Sequence, residues 1–442
     1  MLSLRYIWRL NSAFISKFKF ILVGGAVLGI LGFILLAKVS PFLTKGKVER
    51  IGLTGRFRPD NLPIEILSLM GTGLTEIDEA GNVRPALAES WQVDEDGKVW
   101  IFHLKKGLFW QDGKAVVSSD IKYPFTDVTV EVPDEATIVF RLQSPFSPFP
   151  SVVAKPIFKK GLLGTGAWRV KGRGLRLSGT YVSSLSLVDE NKNSKVFKFY
   201  PTEERAKLAF RLGSVDRLEN VFNKSPFDTW RNVEITENLH EDQYVALFLN
   251  TQDSFLSEKA LRQALASGID KSAFGFPRSI SPISPNSWAF NPQVKPYTYD
   301  PTHAKALLED LPKEQRETLG VRLATTPILL DAAEKIAADW NKVGVKTEVQ
   351  VTSSVPEDFQ ALLVIFDIPQ DPDQYSFWHS TQTSSNITRF SNPRIDKLLE
   401  DGRIELDQSE RKSVYLDFQR FLVEESPAIF LYHPVTYTVS RK

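Results

Sequence analysis

Three carboxylates crowd one short loop. Asp367, Asp371 and Asp373 fall within residues 362–386, LLVIFDIPQDPDQYSFWHSTQTSSN, and Tyr375, Phe377 and Trp378 follow at once. Pro369 and Pro372 fix φ between the acids and stiffen the backbone. Acids beside aromatic rings suit a pocket that holds a cation or ammonium group together with the apolar matter attached to it. The same residues also read as helix caps and core aromatics, and both readings stand on this stretch alone. Paired carboxylates such as Asp371 and Asp373 could do the acid/base work of a glycosidase, but no second feature points that way. Neither a G-x-S-x-G elbow nor an H-E-x-x-H pair is present. The five histidines, His103, His240, His303, His379 and His433, have no partner at i+2, i+3 or i+4, so no close-spaced metal cage is expected. There is no cysteine, which excludes disulfides, thiolate metal sites and a thiol nucleophile. The expectation is a protein that is not an enzyme and carries no cofactor or metal.

The element that must hold this loop is the run of five apolar residues at 362–366, with the length and β-branched and aromatic content of a strand buried on both faces. Upstream, Leu330, Ala333, Ile336, Ala337 and Trp340 fall at helical spacing up to Gly344, and Val345, Thr347, Val349 and Val351 then alternate as a strand. Asp300-Pro301 marks a further helix start, and Ser257 is a plausible N-cap for a helix through Leu261, Ala264 and Leu265. Residues before about 250 are richer in strand patterns. The Asp96-Gly97 and Asp112-Gly113 turns flank KVWIFHLKKGLFWQ, where Trp100, Phe102 and Leu104 alternate to one side. Gly164-Thr165-Gly166 lacks the lysine and following helix of a phosphate loop and reads as a tight turn.

The chain has 442 residues, 42% apolar and 24% charged, enough for two or more domains. Residues 1–47 carry seven lysines or arginines and no acid, which leaves 47 bases against 53 acids in the remainder. A mildly acidic body without a basic stripe argues against nucleic acid as partner. Residues 20–37, from Phe20 to Ala37, hold no charge and are just long enough to cross a bilayer as a helix. Four bases precede them, so the N-terminus is expected in the cytoplasm and everything after Lys38 outside. The apolar run is longer than a signal-peptide core and lacks a good small-x-small cleavage site, which favours a retained anchor.

Several motifs in the exported part resemble one family, the extracellular solute-binding proteins of oligopeptide and dipeptide ABC importers. Pro85, Leu87, Ala88, Glu89, Ser90 and Trp91, followed by Trp110, Asp112 and Gly113, are similar to its signature region. GLLGTGAW is similar to a G-T-G-P-Y element, with Ala167 and Trp168 in place of the last two residues. Asn250 and Thr251 with Arg262-Gln263-Ala264, then YDPTHAKALLEDL, DPDQYSFWHST and SNPRIDKLLEDGR through PAIFLYHP, complete a likeness over residues 73–437. Two departures stand out. The lipidated cysteine is missing, with the apolar helix as the substitute tether, and the stretch between residues 117–121 and 136–142 is too short for the usual accessory insertion.

The resemblance implies an α/β, two-lobed periplasmic-binding-protein-like fold of the large peptide-binding class, with a reduced accessory domain and an N-terminal transmembrane helix. Its expected parts are a cytoplasmic end at 1–19, an anchor at 20–38, a tether at 39–47, a first lobe at 48–248 completed by 431–442, and a second lobe at 249–430. Chain crossings near 246–251 and 430–435 would form the hinge. The implied function is a membrane-anchored, monomeric receptor that captures a peptide or other small solute and delivers it to ABC permease subunits. A sensing or assembly ectodomain on the same fold is the alternative. In such a protein an aspartate of the second lobe neutralises the peptide's amino terminus, here Asp367 or Asp371, because the PQDPD loop is one residue out of step with the family's version. Asp373 and Asn250 would add polar contacts, and Tyr375, Trp378 and Trp288 would line side-chain pockets.

Overall fold

The computed structural model describes residues 17–20, 24–25, 29–30, 46–94, 96–353, 356 and 358–442. Two compact units are distinguished, Met1–Val48 with Val188–Ser194 and Glu49–Leu187 with Lys195–Lys442. In the smaller, the Lys47 amide donates to Asn193 Oδ1 at 3.0 Å. Among the described residues no helix is long and apolar enough to cross a membrane. The anchor expected at residues 20–37 lies, except for Phe20, Gly24, Gly25, Gly29 and Ile30, outside the described residues, as does most of the sequence on either side of it.

In the larger unit, apolar strands collect into two main sheets. One has five strands in the order Lys346–Val351, Gly320–Thr325, Ala361–Asp367, Gln243–Leu249 and Ala428–Tyr432. The apolar run at 362–366 is thus the central strand, parallel to Gly320–Thr325 and antiparallel to Gln243–Leu249. The helix Leu330–Lys342 connects the parallel neighbours Gly320–Thr325 and Lys346–Val351, and the turn after it uses Gly344 at φ 100°, a conformation that favours glycine. Helices Lys259–Ser267, Pro393–Ile404 and Gln408–Glu425 contribute Leu261, Leu265, Leu399, Phe418 and Leu422 to the same core. Asp300 caps its helix as expected, accepting from the His303 amide, whereas Ser257 does not: the cap position is Glu258, without a side-chain bond.

The other main sheet has seven strands, in the order Val233–Leu239, Val435–Arg441, Arg217–Val221, Val48–Thr54, Ser194–Tyr200, Tyr181–Val188 and Arg169–Ser178. A separate four-stranded antiparallel sheet, Ala88–Val93, Val99–Leu104, Thr137–Leu142 and Val128–Asp134, holds the hairpin expected at Asp96-Gly97. The alternating Trp100, Phe102 and Leu104 bury one face of it against Phe140 and Phe149. Phe102 and Phe140 meet edge to face at 5.7 Å. The glycines of the Gly164-Thr165-Gly166 turn let the chain close on the end of helix Ile64–Met70, where the Gly166 amide donates to Met70 O at 2.8 Å.

The chain passes from the seven-stranded to the five-stranded sheet between Leu239 and Gln243, and returns between Tyr432 and Val435. The first passage lies upstream of the expected 246–251, because Gln243–Leu249 pairs over its whole length with Ala361–Asp367. Both passages carry a histidine. The His240 amide donates to Pro434 O, and the His240 ring bonds Thr436 Oγ1 at 2.7 Å. His433 Nδ1 donates to Gln243 O at 2.7 Å. His433 is 3% exposed, and burial pulls its imidazole below the usual histidine value.

An unfolded chain protonates this histidine below about pH 6.5 while the folded one resists, so its contribution to stability is complete above that value and is lost as the pH falls. Urea denaturation of the wild type and of His433→Asn across pH 7.5 to 5 should show the variant losing less stability on acidification.

Candidate functional site

The loop after the central strand is held first through its backbone amides. The Ile368 amide donates to Asp242 O at 2.8 Å, and the Asp373 and Tyr375 amides donate to the carboxylates two residues before them, at 2.9 and 3.1 Å. These are Asx-type turns, which stop the strand and start the short helix Tyr375–Trp378. The acids do not themselves cap the helix: the cap position is Gln374, without a side-chain bond, and Asp373, one residue earlier, accepts from the Tyr375 amide.

Two arginines meet the acids. Arg411, in the first turn of Gln408–Glu425, grips Asp371 with both terminal nitrogens, Nη2 to Oδ1 at 2.6 Å and Nη1 to Oδ2 at 3.0 Å. Both side chains are largely buried, at 8% and 13% exposure. The remaining acceptor positions of Asp371 are taken by the Asp373 amide and by Ser151 Oγ at 3.1 Å. Burial pulls the Arg411 guanidinium down, but the adjoining Asp371 carboxylate more than offsets this and holds it above the usual arginine value. Arg411 Nε donates to Gly402 O, as does the Tyr415 hydroxyl. Arg403 Nε binds Asp373 at 3.0 Å, and its guanidinium lies 4.0 Å from the centre of the Tyr375 ring.

A cleft of about 630 Å³ opens against this loop, within the range of small-ligand sites. Pro369, Gln370, Asp371 and Asp373 form one wall, and residues 71–77 with residues 146–156 form the other. The second wall depends on glycine: a Cβ on Gly73 would stand 2.5 Å from Val153 O and Ala154 O. That close approach allows the Leu74 amide to donate to Val153 O at 2.9 Å and the Ile157 amide to Thr72 O at 3.2 Å. Among the described residues no group of three or more His, Asp or Glu side chains could hold a metal ion.

The predicted site residues separate into four sets. Asp371 and Asp373 line the cleft, with their charges already matched by arginine. Tyr375 packs behind them on Arg403 and His379, and Trp288 lies beyond Asp371, against Arg411 and Tyr415. Asp367 sits at the strand end, where Gln243 Nε2 donates to it at 2.7 Å. Trp378 and Asn250 are corrections. Trp378 is 1% exposed, stacks on Phe248 and donates to Gln374 Oε1, so it is core. Asn250 is buried, donates to Phe359 O and accepts from the Gln252 amide, a turn-forming role. Residues 71–77, Arg403, Arg411 and Ser151 were not anticipated. Arg411 did leave a trace in the sequence, since it shares a helical face with Tyr415, Phe418 and Leu422, where a buried charge requires a partner.

The model of the bacterial extracellular solute-binding proteins, family 5, matches residues 82–129 and 124–388. The chain belongs to that family. As a family 5 protein it is a binding protein, not an enzyme. It is 24% identical to the dipeptide-binding protein of Escherichia coli K12, over 81% of this chain and 82% of that one. The two-lobed α/β fold recurs in NikZ from Campylobacter jejuni in complex with Ni(L-His), with TM-score 0.73, 22% identity and coverage of 89% of this chain and 94% of that chain. It recurs also in oligopeptide-binding AppA from Bacillus subtilis in complex with a nonapeptide, with TM-score 0.71, 18% identity and coverage of 90% and 95%.

Removing one partner of a buried ion pair leaves the other charge stranded, at a cost of about 3–5 kcal/mol. Asp371→Ala should therefore lower the unfolding free energy by that order in denaturant titrations. The apolar double variant Asp371→Leu/Arg411→Met should recover most of the loss.

Proposed function

We propose that this family 5 protein captures a peptide or related small solute in the cleft between residues 71–77 and the loop at 369–373, and delivers it to the permease of an ABC importer. The observation that carries this reading is the cleft itself, because its two walls come from parts of the chain that hydrogen bonds draw together from opposite sides. Ser151 reaches Asp371, and the Ser147 amide donates to Arg403 O at 2.7 Å. A solute lying between such walls touches both and favours the closed arrangement over an open one. The ligands of similar proteins, a dipeptide and a nonapeptide among them, support peptides as the cargo.

In this reading Asp371 and Asp373 build the floor of the site through their arginines. Tyr375 and Trp288 support that floor, and Asp367 stands at its edge beside Gln243. The lobes we propose meet at 240–242 and 433–434, where the strands change sheet. Residues 20–37 anchor the protein, with Arg5, Arg9, Lys17 and Lys19 keeping the N-terminus inside and the binding body outside.

Small-angle scattering of the purified exported part, with a peptide found by native mass spectrometry, should show a smaller radius of gyration once ligand is added. A ligand that binds without compaction would count against the clamp. Full-length protein should stay with the membrane through an alkaline carbonate wash, whereas protein beginning at residue 46 should be released.

A further inference from the structure

Four titratable side chains line the 630 Å³ cleft: Glu76, Lys155, Asp371 and Asp373. The two aspartates are neutralised by Arg411 and Arg403, and all four acceptor positions of Asp371 are filled. An incoming ammonium group would have to break an ion pair to reach either of them. Glu76 and Lys155 differ: both are exposed, and neither has a hydrogen-bond or ion-pair partner among the described residues. The cleft thus presents one unmatched charge of each sign.

The backbone sets their spacing. The bonds from the Leu74 amide to Val153 O and from the Ile157 amide to Thr72 O run the two segments side by side in opposite directions, so Lys155 falls opposite Gly73. Glu76 stands three residues further along this segment, past the bend at Leu74 and in the short strand Thr75–Ile77, so at most roughly 10 Å of chain separates it from Gly73. Thr75 Oγ1 donates to Pro150 O, which pins its own side chain inward and turns Glu76 to the other face. An extended peptide reaches 10 Å with about three residues.

Resting on the reading of this cleft as the solute site, we propose that Glu76 receives the amino terminus and Lys155 the carboxylate of a short zwitterionic peptide of two to four residues. Closure over such a ligand removes water from both charges and strengthens each contact. The wall of residues 71–77 and 146–156, rather than the acidic loop, then selects for free peptide ends.

The test offers the exported part three randomised tripeptide libraries, one with free ends, one N-acetylated and one C-amidated, and weighs the retained ligands by native mass spectrometry. The wild type should retain free peptides at least about tenfold better than either blocked form. Glu76→Gln should lose the discrimination against N-acetylation alone, and Lys155→Met the discrimination against C-amidation alone. The swapped variant Glu76→Lys/Lys155→Glu should bind free peptides again, in the reverse direction. Retention that ignores the end groups, or single variants that discriminate as the wild type does, would overturn the proposal while leaving the cleft as the binding site. Failure of the wild type to retain any member of the three libraries would overturn the peptide reading of the cleft as well.

Discussion

The buried Asp371–Arg411 pair organises the rest of this structure. Removing two charges from water is costly, and the cost is met only where geometry is good and every remaining donor and acceptor is occupied. Here the pair is bidentate, Arg411 Nε is taken by Gly402 O, and the second lone pairs of Asp371 go to an amide of its own loop and to Ser151. Three pieces of chain are thereby fixed together, the loop after the central strand, the end of Pro393–Ile404 and the start of Gln408–Glu425, with Ser151 reaching Asp371 from the facing wall. The close fit of Gly402 is part of the same arrangement, since a Cβ there would stand 2.7 Å from the Tyr415 ring.

One consequence is electrostatic. A loop with three aspartates looks like a strong anion in the sequence, yet two of them face the cleft as halves of ion pairs. The net charge offered to a ligand is set by the residues left unmatched, which lie on the opposite wall. In the family reading an acid of this loop takes a peptide's amino terminus. Asp371 instead anchors an arginine, and Asp367, nearer the strand end, leans on Gln243.

A second consequence concerns motion. Ser151 bonds Asp371, Ser147 bonds Gly402 and Arg403, the Trp288 amide bonds Ala80 O, and Gln408 bonds Asn82. Each is a single neutral or singly charged contact at the rim, which opening exchanges for water at modest cost. The Asp371–Arg411 pair lies wholly on one side of these contacts and survives such a change. The floor of the proposed site would therefore keep its shape if the two walls separated.

Local pattern in the sequence determined most of the elements: the apolar run of the central strand, the helical stripe ending at Gly344, and the alternation around Trp100. These follow from periodicities of a few residues, which single segments carry by themselves. The order of motifs was enough to place the chain in its family. What tertiary structure alone decided was the partnership of side chains far apart in the chain. Asp371 meets an arginine 40 residues later and a serine 220 residues earlier. Trp378 and Asn250 turned inward for the same reason, as their neighbours Phe248 and Phe359 arrive from other strands and loops. A residue's type states what it can bind, but its free or occupied state depends on which distant segments the fold packs against it.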